Sequence, residues 1–443
     1  MPLISQLALL CLTCMCWSNL QAEGEFRRLQ EINPPPLPEE KQAIVIEGGL
    51  LIDGTGAVPL EDAVVVLRGE RIVAVGKRSN IDIPENSMHI AAQGKAILPG
   101  LVDSHFHTAE GETVHSLPPL FLSHGVTTAR DPGRPIEVYD SYKTSKSLAP
   151  RLFLTGPHFD QAPCAWPKNA IEIDSVEEAR AATRRFFDRG ASAIKVYFRL
   201  PLDEIRATCT TAHGLGIPVT AHLELVDADS AIEAGLDGLE HITSLGTTLA
   251  EPDIAATFRS AVFAENSARE DGRYRLWATL NFNDNQRVAN ALAVMKLHNT
   301  VLSPTLATFE RRAGDKDVEE FHVRGFENML RFVGICHKAG IRVVTGSHTW
   351  SRHVPMGWAF QREMELLHEA GMTNMDVIQA STLANAQFLG CADRIGSIET
   401  GKLADIVIVR GNPLEDLTSM YQVEQVILNG HLVPKSNVAP PLR

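Results

Sequence analysis

Paired cysteines are missing from most of this chain. Of its 7 cysteines, Cys11, Cys14 and Cys16 sit close to the N-terminus. The other four, Cys164, Cys209, Cys336 and Cys391, stand far apart with no Cys-x-x-Cys spacing among them. That excludes a cysteine zinc module or a dense disulfide framework as the organising principle. An excess of basic charge is missing too. The chain has 41 Lys and Arg against 54 Asp and Glu, a formal net charge of -13. With no basic field to attract phosphate, nucleic acid is excluded as a dedicated partner. The Gly-x-Gly-x-x-Gly fingerprint of dinucleotide binding follows no candidate strand. Beyond the N-terminal segment no apolar run approaches the ~20 residues of a spanning helix.

That first segment, MPLISQLALLCLTCMCW, is uncharged and apolar, and NLQA leads from it to the polar EGEF. It has the form of a secretory signal peptide ending at Ala22, although no Lys or Arg precedes the apolar run. The expectation is an exported protein, periplasmic or secreted, with no stable membrane span in the mature chain. A lipoprotein formed through Cys11 or Cys14 is the alternative. Residues 23–41, charged and then proline-rich (INPPPLPEEK), read as an extended linker.

Two rhythms divide the remaining residues. In 42–95, AIVIEGGLLIDGTG and DAVVVLRGERIVAVG alternate apolar and polar around glycine turns, as hairpin strands do. The same rhythm returns in 402–435 with GKLADIVIVRGN and VEQVILNGHLV, before a short tail, 436–443. The simplest account is one small β unit made from both segments. Between them, over 96–401, short strands alternate with amphipathic helices such as 175–190 and 203–216. The strand candidates are AILPGLV, GVTTARD, RLFLTG, AIKVYF, IPVTAHLE, GLEHIT, TVLSPTLA and IRVVTGSHT. Strand–helix alternation of this kind predicts a parallel sheet, and eight strands predict an α/β fold of the (β/α)8 barrel type. A doubly wound sheet is the runner-up.

Barrel enzymes carry their chemistry at the carboxyl ends of strands. Those ends hold His105 and His107, Lys195, His222, His241, and Ser347 followed by His348. His105 and His107 share a strand face because the side-chain period is two. One strand-end histidine is ordinarily a packed or solvated residue. Four at successive corners of one mouth make a candidate site for a divalent metal, since imidazole suits zinc and its neighbours. Tyr197 shares the face of Lys195 and is a candidate to hydrogen-bond a substrate carbonyl or carboxylate. Arg130 could hold a carboxylate, with a structural ion pair to Asp131 or a neighbour as the rival reading. His353 and Arg352, just past strand eight, are lesser substrate-binding candidates. Histidines in helices and loops, His158 among them, are assigned nothing. Nothing in the sequence sets an oligomeric state.

The segments LPGLVDSHFH, GVTTARDPG, GASAIKVY, IPVTAHLE, GLEHIT, REMELLHEAGMTNMDVIQAST and IGSIETGKLADIVIV occur in an order and spacing that resembles the amidohydrolase superfamily. The likeness is to its imidazolonepropionase-like and prolidase-like branch of metal-dependent hydrolases, over nearly all of 42–435. The resemblance implies a (β/α)8 barrel with a small β-sandwich built from both chain ends. It implies one or two divalent ions, zinc first among them. His105 and His107 would bind the more buried ion, and His222 and His241 the second. Lys195 would be N6-carboxylated and bridge the two. Metal-activated water would cleave an amide C–N bond in a small molecule, a dipeptide or an N-acyl compound.

One position departs from the pattern. The family's eighth strand normally ends in an aspartate that ligates metal and takes the proton of the attacking water. The matching segment here is VVTGSHTWS, and the aligned position is Ser347. A serine is a poor base and a weak ligand. The hydrolase can survive if His348 or a nearby carboxylate takes over proton transfer. On a regular strand His348 would face away, so this needs a local rearrangement. The alternatives are a degenerate metal- or ligand-binding member, and a metal-assisted isomerase or lyase. A scaffold using the barrel for recognition alone belongs to a further class and would bind no stoichiometric metal.

Overall fold

The computed structural model describes residues 31, 33–38, 42–108, 113–142, 148–435 and 441. The segment expected to be a signal peptide lies outside the described residues, as does most of the 436–443 tail. No helix among the described residues is long and apolar enough to cross a membrane.

Strands from both ends of the chain share one mixed sheet. Ile44–Leu51, Leu60–Arg68 and Arg71–Lys77 form one antiparallel run. Ile406–Arg410, Val423–Leu428 and His431–Val433 form another. Lys95–Pro99 joins the two, parallel to the first strand and antiparallel to Ile406–Arg410. The period-two pattern in the sequence has its cause here. Val65 with Leu67 and Ile406 with Ile408 point into a common buried cluster with Ile97 and Ile427. Each aliphatic side chain so buried contributes about 1.5–3 kcal/mol before chain entropy is set against it.

The run AILPGLV, expected as one barrel strand, is two. Lys95–Pro99 belongs to the sandwich sheet and Leu101–Asp103 to the barrel. The break is at Gly100, where a Cβ would lie 2.1 Å from Thr127 Oγ1, so no side chain fits at this crossing.

The barrel has eight staves in the order read from the sequence. Leu101–Asp103, Val126–Asp131 and Arg151–Leu154 pair in parallel. Ile194–Val196, Val219–Ala221, Gly238–Glu240 and Val301–Ser303 form a second parallel set, extended at its edge by His158–Asp160 and Ala170–Glu172. The Ser192 amide donates to Leu154 O at 2.7 Å and links the sets on one side. Val343 bridges Leu302 in parallel, and the Ser104 amide donates to Thr345 O at 3.1 Å, so the eighth segment closes the other side. Helices alternate with the staves. Val176–Asp188 starts at an N-cap, the Ser175 side chain accepting from the Glu178 amide, and buries Ala179, Ala182 and Phe186. Leu202–Gly214 follows the next stave.

The described part of the 23–41 segment does not hang free. The Asn33 side chain donates to Pro150 O and accepts from the Leu152 amide, both at 2.8 Å. Pro36 O accepts from Asn429 on the sandwich, and Glu31 pairs with Arg394. It is extended, but it is docked across barrel and sandwich alike.

Candidate metal centre

The first stave ends at Asp103, whose Oδ1 accepts the amides of His105 (3.0 Å) and Ser347 (2.9 Å). That carboxylate ties the first corner of the mouth to the eighth. The His348 amide then donates to His105 O at 2.7 Å. Gly346 makes this approach possible, because a Cβ there would meet Ser303 Oγ at 2.5 Å and His105 Cβ at 2.8 Å. Beyond it the chain leaves the strand conformation. His348 has φ 51° and Thr349 φ 68°, and across the mouth His241 has φ 66° and Thr305 φ 51°. Non-glycine residues held there cost of order 1–3 kcal/mol each.

This left-handed turn decides the eighth corner. Ser347 is fully buried: its amide donates to Asp103, its side chain also hydrogen-bonds the Asp103 carboxylate, and its Oγ accepts from the Thr349 amide at 2.9 Å. The residue delivered to the mouth is His348. Nitrogen atoms of His105, His241 and His348 all lie within 4.8 Å of one another. The positive φ at His348 is the local rearrangement that the sequence required for this residue, next to the aligned Ser347, to reach the other rings.

His107 and His222 extend the group. His107 Nε2 is 3.1 Å from His105 Nε2, and the His222 and His241 ring centroids are 4.4 Å apart. Each ring is aimed by a partner on its far side. His105 Nδ1 lies 2.6 Å from Glu240 Oε2, His107 Nδ1 3.1 Å from Asp131 Oδ1, and His241 Nδ1 2.6 Å from Thr305 Oγ1. Such partners fix the tautomer and turn the other nitrogen inward. On His105 and His107 the two inward nitrogens then present lone pairs to each other, an arrangement that a cation between them relieves. His222 contacts Glu224 through Nε2 at 3.3 Å, while its Nδ1 is buried with no protein partner. These observations fit a bound divalent ion.

Electrostatics agree. Burial, with the nearby cations adding to it, holds His105, His241 and His348 well below the usual imidazole value, and burial takes His222 to about 4. All four are neutral at pH 7 and keep a lone pair. Lys195 is buried in the same wall. Its pKa falls to about 8, lowered by burial, with Glu240 opposing and Arg130 adding to the fall.

A cavity of about 570 Å³ opens over the cluster. Its lining includes His107, Lys195, His222, His241 and His348, then Tyr197, His158, Arg134, Arg269 and Arg273, with Trp166, Phe309, Trp350 and Met356 as apolar walls. Glu270 is the one carboxylate among the lining residues described. The Tyr197 ring stacks on His158, centroids 4.4 Å apart, and its hydroxyl accepts from the Trp166 indole N–H at 3.0 Å.

Other expectations need correction. Arg130 does not line the cavity. It is buried beneath the cluster, ion-paired with Glu240 rather than with Asp131, and its Nε donates to Ser104 O at 2.9 Å. His353 lies outside the cavity beside Asp315 at 3.3 Å, and Arg352 donates to Lys316 O. Neither lines the pocket. Sequence reasoning missed His158, Glu240, Arg269 and Arg273. Glu240 stood next to His241 in GLEHIT, and its neighbour was the only signal. His158 and the arginines carried none, because they reach the cavity from the edge strand His158–Asp160 and from the helix Arg269–Thr279, outside the eight strand ends.

The profile described as "Amidohydrolase family" matches residues 96–433. The chain is 23% identical to ochratoxinase of Aspergillus niger over 452 aligned positions, covering 88% of this chain and 85% of that one. Among solved structures it superposes on a Xaa-Pro dipeptidase with methionine bound in its active site at TM-score 0.68, with 22% identity, covering 88% of this chain and 99% of the other. It superposes on a putative prolidase from Bifidobacterium longum at TM-score 0.69, with 24% identity, covering 91% and 97%. At these identities the superpositions speak for the shared architecture. With the profile running from the sandwich strand Lys95–Pro99 through the whole barrel to the last sandwich strand, the chain belongs to the amidohydrolase family.

Proposed function

We propose that the protein is a metal-dependent hydrolase that cleaves an amide C–N bond of a small molecule or dipeptide with water. The observation that carries this is the convergence of His105, His241 and His348 nitrogens within 4.8 Å at the floor of a cavity. His105, His107, His222 and His241 would hold one or two divalent ions together with His348, and a donor set this rich in imidazole suits zinc. When bound, such an ion lowers the pKa of water and polarises a carbonyl. The chain's own part is to exclude bulk water, to hold the amide against Tyr197 and His158, and to receive a proton. Lys195 would serve as a carbamate: its neutral amine adds carbon dioxide, the new N–C bond forms, and the released proton goes to solvent. The product carries a carboxylate where an ammonium has no lone pair to offer.

His348, not Ser347, stands in for the family's aspartate. A neutral imidazole can be a ligand or a proton acceptor, and the two tasks separate experimentally. Loss of a ligand lowers the metal content of His348→Ala; loss of an acceptor lowers the rate at unchanged metal content. The N-terminal segment supports export as part of this reading, and the N-terminal sequence of the mature protein would test it.

The decisive experiment supplies zinc, manganese or cobalt with bicarbonate and screens amides and dipeptides. Turnover that His105→Ala abolishes supports the proposal. Metal confirmed bound with no turnover of any amide supports the degenerate binding protein instead. Isotope-labelled bicarbonate giving an NMR signal that Lys195→Ala removes would identify the carbamate.

A further inference from the structure

The cavity above the histidines is lined by three arginines, and two of them are engaged. Arg273 pairs with Glu224 at 3.0 Å, and its Nε donates to Arg269 O at 2.9 Å. Arg134 donates to Asn169 Oδ1 at 3.1 Å. Arg269 is different. It is 7% exposed and its Nε is buried without an acceptor; the buried Glu224 feels its charge, but that carboxylate is ion-paired with Arg273, and no carboxylate of a described residue is seen in an ion pair with Arg269. Its guanidinium lies 5.8 Å from the Trp166 ring centroid and 5.1 Å from that of Phe198. The π faces soften the cost of burying a cation, but they do not satisfy its N–H groups. The two rings flank the guanidinium and restrict where it can swing. Trp166, 50% exposed, and Trp350, 45% exposed, are apolar surface at the same cavity.

From this geometry we infer that Arg269 is the specificity-determining residue that docks the carboxylate of an anionic amide. An apolar or aromatic group attached close to the scissile bond packs against Trp166 and its neighbours. A guanidinium matches a carboxylate through two parallel hydrogen bonds, which selects a planar anion over an uncharged ester of the same shape. Glu270, beside Arg269 in the lining, disfavours a second anionic group in the same place. The inference rests on the hydrolase reading, whereas the binding measurement below does not.

The probes are N-acetyl-L-phenylalanine and its methyl ester, with binding measured by calorimetry and by Trp fluorescence on the full chain. The acid should bind roughly tenfold or more tightly than the ester, a difference of about 1.4 kcal/mol. Arg269→Gln should erase that preference. Arg269→Lys keeps the charge and most of the stem, and should keep part of it; circular dichroism checks that both variants fold. On an amide that is turned over, Arg269→Gln should raise KM for the anion with kcat little changed, and leave the ester's KM where it was. Equal binding of acid and ester, no binding of either, or a preference that survives Arg269→Gln each overturns the inference. A clear acid preference in a protein that hydrolyses nothing would sink the hydrolase reading and leave this one standing. Hydrolysis of charged and uncharged amides alike would do the reverse.

Discussion

Two buried arginine–carboxylate pairs sit at different places in the barrel, alike in chemistry and unlike in task. Arg130 pairs with Glu240 beneath the metal centre, both fully buried. Arg151 pairs with Asp405 where the barrel meets the sandwich, equally enclosed. The difference lies in the second oxygen of each carboxylate. Glu240 spends its other oxygen on His105 Nδ1, so the pair aims a candidate ligand. Asp405 spends its other oxygen on the Asn429 amide at 2.8 Å, while Arg151 also donates to Asn429 Oδ1 and lies near Glu31. That pair joins three stretches of chain remote in sequence. A buried ion pair by itself is weak evidence for either stability or function, and the partner it leaves a hand for decides which it serves.

The comparison can be broken, first and most strongly, at the metal. Stripping the ion with a chelator should abolish amide cleavage, while the Arg151–Asp405 junction keeps the protein folded; activity should return with metal. A chelator that unfolds the chain outright would mean the two regions are not separable. Next, Arg130→Ala and Arg151→Ala should each cost about 3–5 kcal/mol in denaturant unfolding, since each leaves a buried carboxylate unpaired. Only Arg130→Ala should also lower metal content. Equal metal loss in both variants would erase the distinction. Glu240→Gln is milder, because an amide oxygen still accepts a hydrogen bond. It should weaken metal binding roughly 10–100-fold with a smaller change in stability.

Ser347→Ala removes its side-chain hydrogen bonds with the Thr349 amide and the Asp103 carboxylate, and should cost about 1–3 kcal/mol while slowing turnover only a few-fold. A loss as deep as that of His348→Ala would return Ser347 to the reaction. The smallest effect is expected at the half-exposed pair of His213 and Asp237, a baseline for both buried ones. The Asp237 hydrogen bond raises the His213 pKa above 6.5 against the opposing pull of burial. A raised folded-state value means stabilisation that is full below 6.5 and lost as pH climbs through the folded value. The melting-temperature gap between wild type and His213→Gln should therefore close on raising the pH.

Most of the scaffold could be read along the chain. Val65 and Leu67, or Ile406 and Ile408, announce a buried strand face because the pleat has a period of two. The Ser175 cap and the spacing of Ala179, Ala182 and Phe186 mark a helix in the same local way. His105, His107, Lys195, His222 and His241 were found because they close apolar strand runs. Reading failed where the backbone left its regular period at Gly100, and at His348 it could say only that a local rearrangement was needed. At Arg130 it offered a structural ion pair beside the substrate-binding reading, but could not name a partner 110 residues away in the chain.

By itself, then, the order of residues determined the elements, their sequence around the barrel and which side chains stand at the strand ends. These follow from periodicities that act over a few residues. Only the tertiary structure decided which nitrogen of each histidine turns inward, that His348 reaches the others, and that Arg269 forms no ion pair with a carboxylate among the described residues. Those outcomes depend on contacts between segments far apart in the chain, and on positive φ angles that the packed mouth alone sustains.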